Sequence, residues 1–233
     1  MGRTKLENVA RWLATVAHHE AGHAIAAFEC HMEAKSLSIV PDDESAGRHI
    51  HEPYFSDQDV EDILYGEMTA EQQVKLENNA LVCLAGPWAQ KRYNPKGFRK
   101  YHGESDRKDA TSFLGRVREG ESLSLYYKMI DLDARNFVQN DRYWGAICNL
   151  ANALLDQPEM SGDEVDKAII NSYTIPNPIF SRWSHEMEAE SKINAKIVGC
   201  GLINNFAASR LWDGSTYACR AVAGLAPSAL SIP

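Results

Sequence analysis

The segment His19-Glu20-Ala21-Gly22-His23 lies in a proline-free, alanine-rich stretch that runs from Asn8 to about Cys30. Apolar residues and histidines recur in this stretch at steps of three and four, which predicts one α-helix: Trp12, Val16, His19, His23 and Ala26 or Ala27. On a helix, His19 and His23 share one face, with their Cβ atoms about 5–6 Å apart. Two imidazole nitrogens can therefore bind one tetrahedral metal ion.

Glu20 follows the first histidine and would project beside such a metal. A carboxylate next to metal-bound water can take its proton and return it to a leaving amine, while the metal polarises the scissile carbonyl. This HExxH pattern predicts a Zn²⁺-dependent metalloendopeptidase, a hydrolase with Glu20 as general base. The plain alternative is a chance pattern on a solvated helix face, but the neighbouring small apolar residues favour a buried helix.

A catalytic zinc also needs a third protein ligand and an open position for water. The metzincin pattern would require glycine at position 26 and histidine at position 29. The chain has Ala26 and Glu29 there. We therefore expect the third ligand to come from farther along the chain.

The rest of the chain predicts a mainly α fold, a helical array with a small two-stranded β-ribbon. The ribbon comprises Lys35–Val40, which alternates polar and apolar residues, and Ala46–His51. Thr69 and Gln72 form a capping-box pattern at the start of a helix that reaches Gln90. Later helices are predicted from about Ser105 or Asp106, over Leu123–Gln139 and Trp144–Asp156, and after Ser161, which precedes Glu164.

The composition limits the classes of function. The net charge of -8 and the lack of a basic run argue against a nucleic-acid partner. The five cysteines form no CxxC pair, which favours a reducing, cytoplasmic compartment. A charged amino terminus and the lack of any run of about 18 apolar residues predict neither export nor a membrane segment.

Several segments resemble, in the same order, the peptidase domain of the FtsH-type ATP-dependent zinc metalloproteases. His19-Glu20-Ala21-Gly22-His23-Ala24 has the form of that family's HEAGHA motif. Three later segments are similar to its following strand, its AGRAAE-like helix and its late LLE-x-E-x-L-x-G-x-E segment: Ser36-Leu-Ser-Ile-Val-Pro41, Leu84-Ala-Gly-Pro-Trp-Ala89 and Leu154-Leu-Asp-Gln-Pro-Glu-Met-Ser-Gly-Asp-Glu164.

The segment Gly103-Glu-Ser-Asp106-Arg-Lys-Asp-Ala110-Thr111 resembles the family's GASND-x-x-x-AT motif. Asp106 precedes Ala110 by four residues, as the zinc-binding Asp does in that motif. The resemblance thus implies Zn²⁺ bound by His19, His23 and Asp106. The alternative is that Ser105 or Asp106 only caps the following helix.

The resemblance implies hydrolysis of peptides or unfolded protein segments. It covers residues 9–170, so we expect a zinc metallopeptidase domain over 1–172 and a C-terminal appendage of unknown role over 173–233. Because no GxxxxGK[ST] phosphate loop occurs, we expect protein unfolding to need a separate ATPase partner. Relatives form rings, which implies a homo-oligomer. The alternative function is a non-catalytic adaptor or regulatory protein that retains the fold.

Overall fold

A computed structural model of the chain describes residues 5–41, 45–99 and 101–174. Within these ranges there are seven helices and three strands. In chain order they are α1 (Lys5–Glu29), β1 (Ala34–Ser38), β2 (Arg48–His51), α2 (Asp57–Tyr65), α3 (Ala70–Tyr93), α4 (Glu104–Gly115), α5 (Gly120–Gln139), α6 (Asp141–Asp156), β3 (Glu159–Ser161) and α7 (Gly162–Thr174). The mainly α fold is confirmed.

Helix α1 contributes one long buried face to the core. Its small apolar residues are at most 1% exposed, and they allow other helices to approach closely: Ala17, Ala21, Ala24, Ile25, Ala26 and Ala27. A Cβ atom on Gly22 would lie only 2.7 Å from the Cβ of Ala89 on α3. The glycine in the HExxH segment therefore permits the close packing of α1 against α3.

Helix α3 begins where the sequence predicted. The Thr69 side chain accepts a hydrogen bond from the Gln72 backbone N–H, and the Gln72 side chain accepts one from the Thr69 backbone N–H. These reciprocal bonds satisfy two backbone donors that the helix leaves unpaired. Helix α3 also packs on α4 and α5, so it holds the central position between α1 and the second half of the helical array.

The sheet has three antiparallel strands in the order β2-β1-β3, whereas the sequence predicted a two-stranded ribbon. The β1–β2 pair was predicted correctly. Strand β3 was missed because its three residues are too few to show an alternating pattern. As a result β1 is the central strand, and Leu37 on it is fully buried.

One further helix, α2, was not predicted. Ser56 and Asp59 form a capping box at its start, so the same signal that located α3 was present. The expected appendage falls almost entirely on residues 175–233, which lie outside the described residues. None of the described helices has the length and apolar character that spanning a membrane requires.

Candidate metal centre

Helix α1 brings the two predicted histidines together. The Nε2 atoms of His19 and His23 lie 3.0 Å apart, and the ring centroids are 4.7 Å apart. Asp106, in the first turn of α4, closes the triangle: its Oδ2 is 3.4 Å from His19 Nε2, and its Oδ1 is 3.5 Å from His23 Nε2. The three side chains that the sequence singled out as ligands therefore form one cluster.

These separations fit a metal ion. Ligand atoms bound at about 2.0–2.1 Å in a tetrahedral site lie about 3.3 Å from one another, and the observed separations of 3.0–3.5 Å span that value. His19, His23 and Asp106 offer ligand atoms that all lie within 4.8 Å of one another. Two imidazoles and a carboxylate suit Zn²⁺ and several other divalent transition metals.

The start of α4 fixes the position of Asp106. The N-cap residue is Gly103, with a φ of 68°, and no side chain caps the helix. A Cβ atom on Gly103 would lie 2.3 Å from Cγ of Pro87 on α3 and 3.0 Å from Oδ2 of Asp106. Only glycine fits this contact and this left-handed backbone. The alternative role of Ser105 or Asp106 as a helix cap is not adopted, since both residues lie inside the helix.

Hydrogen bonds from α3 orient both imidazoles. The Nδ1–H of His23 donates to the Val82 carbonyl oxygen at 2.8 Å. The Nδ1–H of His19 donates to Gln90 Oε1 at 2.9 Å. With the proton on Nδ1, each Nε2 carries its lone pair, and the two lone pairs face each other and Asp106. Such bonds to the far nitrogen are typical of metal-binding histidines.

The orientation of the Gln90 amide follows from its other neighbour. His102 Nδ1 lies 3.2 Å from the Arg99 backbone N–H, which can only donate, so this ring nitrogen is an acceptor. The Gln90 amide nitrogen, 3.1 Å from the same ring nitrogen, therefore donates to it. This leaves Oε1 of Gln90 to accept from His19. His102, in the loop after α3, thus supports His19 on α1 through the side-chain amide of Gln90.

The charges of the two histidines are coupled. Burial lowers the pKa of His19, but the hydrogen bond to Asp106 and the charges of Glu20 and Asp106 outweigh burial and raise this pKa to about 9. Burial and the charge on His19 lower the pKa of His23 to about 4, although Asp106 opposes the shift. His19 therefore carries the proton of this pair at neutral pH, and His23 does not. A metal cation would replace that proton.

Close contact with α3 also confines His23. A Cβ atom on Gly86 would lie 2.2 Å from His23 Nε2 and 2.5 Å from its Cε1. No residue larger than glycine fits there while the imidazole keeps its place. Gly86 therefore forms one wall of the centre.

Glu20 lies beside the centre and is only 6% exposed. A Cβ atom on Gly47 would lie 2.9 Å from Glu20 Oε1, so the carboxylate packs under the chain just before β2. Burial raises the pKa of Glu20 to about 7, with the charge of His19 opposing and that of Asp106 reinforcing the shift; no hydrogen bond from a described residue contributes. The carboxylate can therefore exchange a proton near neutral pH.

Other polar residues near the centre play different parts. His18 is 5% exposed, approaches the Ala14 carbonyl oxygen through Nδ1 and stacks on Tyr93. The supporting roles of Gln90 and of the Val82 carbonyl were not predicted, because no sequence spacing links α3 to the histidines of α1.

No protein-family model and no curated protein matches the chain.

Proposed function

We propose that this chain is a zinc-dependent metalloendopeptidase, similar to the peptidase domain of FtsH-type proteases. One observation carries the proposal: the Nε2 lone pairs of His19 and His23 converge with the Asp106 carboxylate at 3.0–3.5 Å, next to the buried Glu20. A structural metal site would have no use for this additional carboxylate.

The three ligand residues would hold Zn²⁺, which when bound supplies Lewis acidity towards a carbonyl oxygen and lowers the pKa of water. Val82 and Gln90 accept the Nδ1–H of the two imidazoles, which keeps each Nε2 aimed at the ligand position. The Asp106 carboxylate balances one unit of the cation's charge. A rigid arrangement of this kind reduces the reorganisation needed during catalysis.

Glu20 would act as general base and then as general acid. It would take a proton from the attacking water and pass it to the amine nitrogen that leaves when the peptide bond breaks. A pKa near 7 suits both steps, because the group can give up a proton about as readily as it takes one. The low exposure of the side chain also strengthens its interaction with charges nearby.

An extended peptide or an unfolded protein segment is the substrate class that best fits this arrangement. Strand β1 already pairs on both sides, so it cannot offer an edge to substrate. Among the described strands, β2 lies at the edge of the sheet next to Glu20. An extended segment can add to such an edge through backbone hydrogen bonds, which read little sequence.

We further propose that the protein acts in the cytoplasm. Cys30, Cys83 and Cys148 are free thiols, which supports a reducing compartment. A separate ATPase would be required for folded substrates, and assembly into a homo-oligomer would bring several such centres together.

The deciding experiment compares Glu20→Gln with wild type on an unfolded protein such as casein. The variant should bind one zinc per chain yet cleave about 10²–10⁴-fold more slowly, the usual contribution of a general base. Glu33→Gln, at an exposed position, is the matched control and should retain full activity. Zinc-loaded wild type without cleavage, or equal cleavage by Glu20→Gln, would instead favour the non-catalytic adaptor.

A further inference from the structure

Strand β2 presents two histidines to one side. Arg48 and Ile50 are exposed, whereas His49 and His51 alternate with them and are partly buried. His49 pairs in register with Leu37 of the central strand, which is fully buried. The rings of His49 and His51 lie 6.0 Å apart. Both histidines therefore lie on the side of the strand that faces the core and α1.

This side of β2 borders the metal centre. Gly47, the residue before the strand, packs on the Glu20 carboxylate. His49 follows two residues later, and burial, with smaller contributions from the charges of His23 and His51, lowers its pKa well below the ordinary value. His49 is thus a neutral imidazole, two residues along the strand from the contact between Gly47 and the general base.

The two histidines differ in their partners. His51 donates its Nδ1–H to the Glu52 carbonyl oxygen at 2.8 Å, so its ring is fixed by its own strand. Among the described residues, no hydrogen bond to His49 is present. A neutral imidazole always carries one N–H donor. The donor of His49 therefore has no partner within the described part of the chain, on a half-buried ring beside the centre.

His49 is not needed as a ligand, because the ligand cluster of the described residues consists of His19, His23 and Asp106. An N–H donor next to a general base is suited to a different task. When water adds to a peptide carbonyl, negative charge develops on the carbonyl oxygen. A donor fixed in a poorly hydrated site stabilises that charge more than it stabilises the neutral carbonyl.

We propose that His49 donates a hydrogen bond to the carbonyl oxygen of the scissile peptide bond and is a catalytic residue of this centre. The inference rests on the proposed peptidase function and deepens it. Substrate paired along the edge of β2 would lie next to the residue that carries this N–H. Removing one donor of this kind typically lowers kcat by about 10²–10³-fold.

The test uses the zinc-loaded full chain with His49→Phe, which keeps a flat ring but removes the donor, and His49→Gln, which keeps an N–H. His49→Phe should lower kcat by about 100-fold with KM little changed. His49→Gln should recover part of the loss. His51→Gln, on the same face of β2, is the matched control and should remain close to wild type. All variants should keep one zinc per chain.

Binding provides a second readout that does not depend on turnover. A phosphinic peptide carries a charged oxygen where the reacting carbonyl oxygen would lie, so His49→Phe should weaken its binding by the same factor as kcat/KM. The corresponding amide peptide, measured in the Glu20→Gln background, should bind equally well with and without His49→Phe. Should the phenylalanine variant fail to fold, His49→Ala replaces it.

Three results would overturn the inference: unchanged kcat in His49→Phe, equal weakening of the phosphinic and the amide peptide, or loss of zinc from the variant. These results are distinguishable from failure of the proposed function. A wild-type chain that binds zinc but cleaves nothing overturns both, whereas cleavage that is insensitive to His49 overturns the inference alone.

Discussion

Two polar clusters lie in shielded positions of this protein, and they are built in opposite ways. In the first, which we term the Asp59 cluster, Asp59 accepts hydrogen bonds from the Ser56 backbone N–H at 2.9 Å, from Lys75 Nζ at 2.9 Å and from Gln72 Nε2 at 3.1 Å. Every acceptor meets a donor, and the negative charge meets a positive one. In the metal centre, by contrast, three acceptors converge.

The pKa values express the same difference. Burial opposes the charge on Asp59, but the hydrogen bonds from Lys75, Ser56 and Gln72 lower its pKa to about 2. In the metal centre, the hydrogen bond to Asp106 and the charge of Glu20 raise the pKa of His19 against the effect of burial, whereas burial and the charge of His19 lower the pKa of His23. A cluster with matched donors and acceptors stabilises the fold, whereas one with converging ligand atoms could hold a cation.

Asp106→Asn tests this contrast most strongly. The substitution keeps the size of the side chain but removes the charge and weakens the ligand, so zinc affinity should fall by more than about 100-fold, beyond the usual effect of losing a supporting residue. Titration against a competing chelator measures this. Asp109→Asn, one turn along the same helix, is the control. A larger loss in Asp109→Asn would move the third ligand to that position.

Gly86→Ala should break the centre by steric contact alone. The new methyl would lie 2.2 Å from His23 Nε2, so the ring must move. Zinc affinity should therefore fall by roughly 100-fold, which is the largest loss typical of removing a residue that supports a metal ligand. Gly115→Ala adds a methyl with only Leu123 at 4.0 Å. That control should bind zinc normally. Normal zinc binding in Gly86→Ala would show that His23 is not held where it is described.

Gln90→Leu removes the support of His19 without touching a ligand. The Nδ1–H of His19 then loses its acceptor, and zinc affinity should fall by about 10–100-fold. Gln73→Leu, on the same helix but bonded to Glu77 and Tyr126, should leave zinc affinity unchanged. Isothermal titration of both variants with zinc measures this. A zinc affinity of Gln90→Leu equal to that of wild type would show that Gln90 does not support the centre.

Asp59→Asn should have the smallest effect and a different one, because it acts on stability alone. The free energy of unfolding should fall by about 1–3 kcal/mol, since Lys75 loses the nearer of its two charged partners, Asp59 and Glu71, while zinc affinity stays unchanged. The folded pKa of about 2 lies below the ordinary 3.8. The stabilisation is therefore full above about pH 5 and is lost as the pH falls through 2. Denaturant unfolding of wild type and Asp59→Asn across this pH range should show that the difference between their free energies of unfolding becomes smaller as the pH falls.

Much of the helical array could be predicted from sequence, because the signals are local. The capping box of Thr69 and Gln72 and the periodicity of α1 each depend on residues within a few positions. The pair formed by His19 and His23 is likewise a consequence of helical spacing. Asp106 was reached through the family resemblance, and the structure then placed it against both histidines.

The remaining features depend on contacts between distant segments. Gln90 lies 71 residues from His19, and nothing in the spacing of either residue indicates that they meet. Strand β3 forms only because β1 is there to pair with it. The strand that carries His49 and His51 was predicted from the sequence, but its approach to α1 depends on how the sheet packs.

Strand β3 also has a consequence for the order in which the protein is made. Ser161 pairs with Ser36 and Met160 pairs with Leu37, so a segment translated early is completed only by one translated about 120 residues later. A nascent chain that ends after α6 would leave β1 with one open side and with part of its buried surface uncovered. In such an intermediate, the open edge of β1 can pair with a strand of another chain. Limited truncation within β3 or α7 should therefore yield aggregation during synthesis.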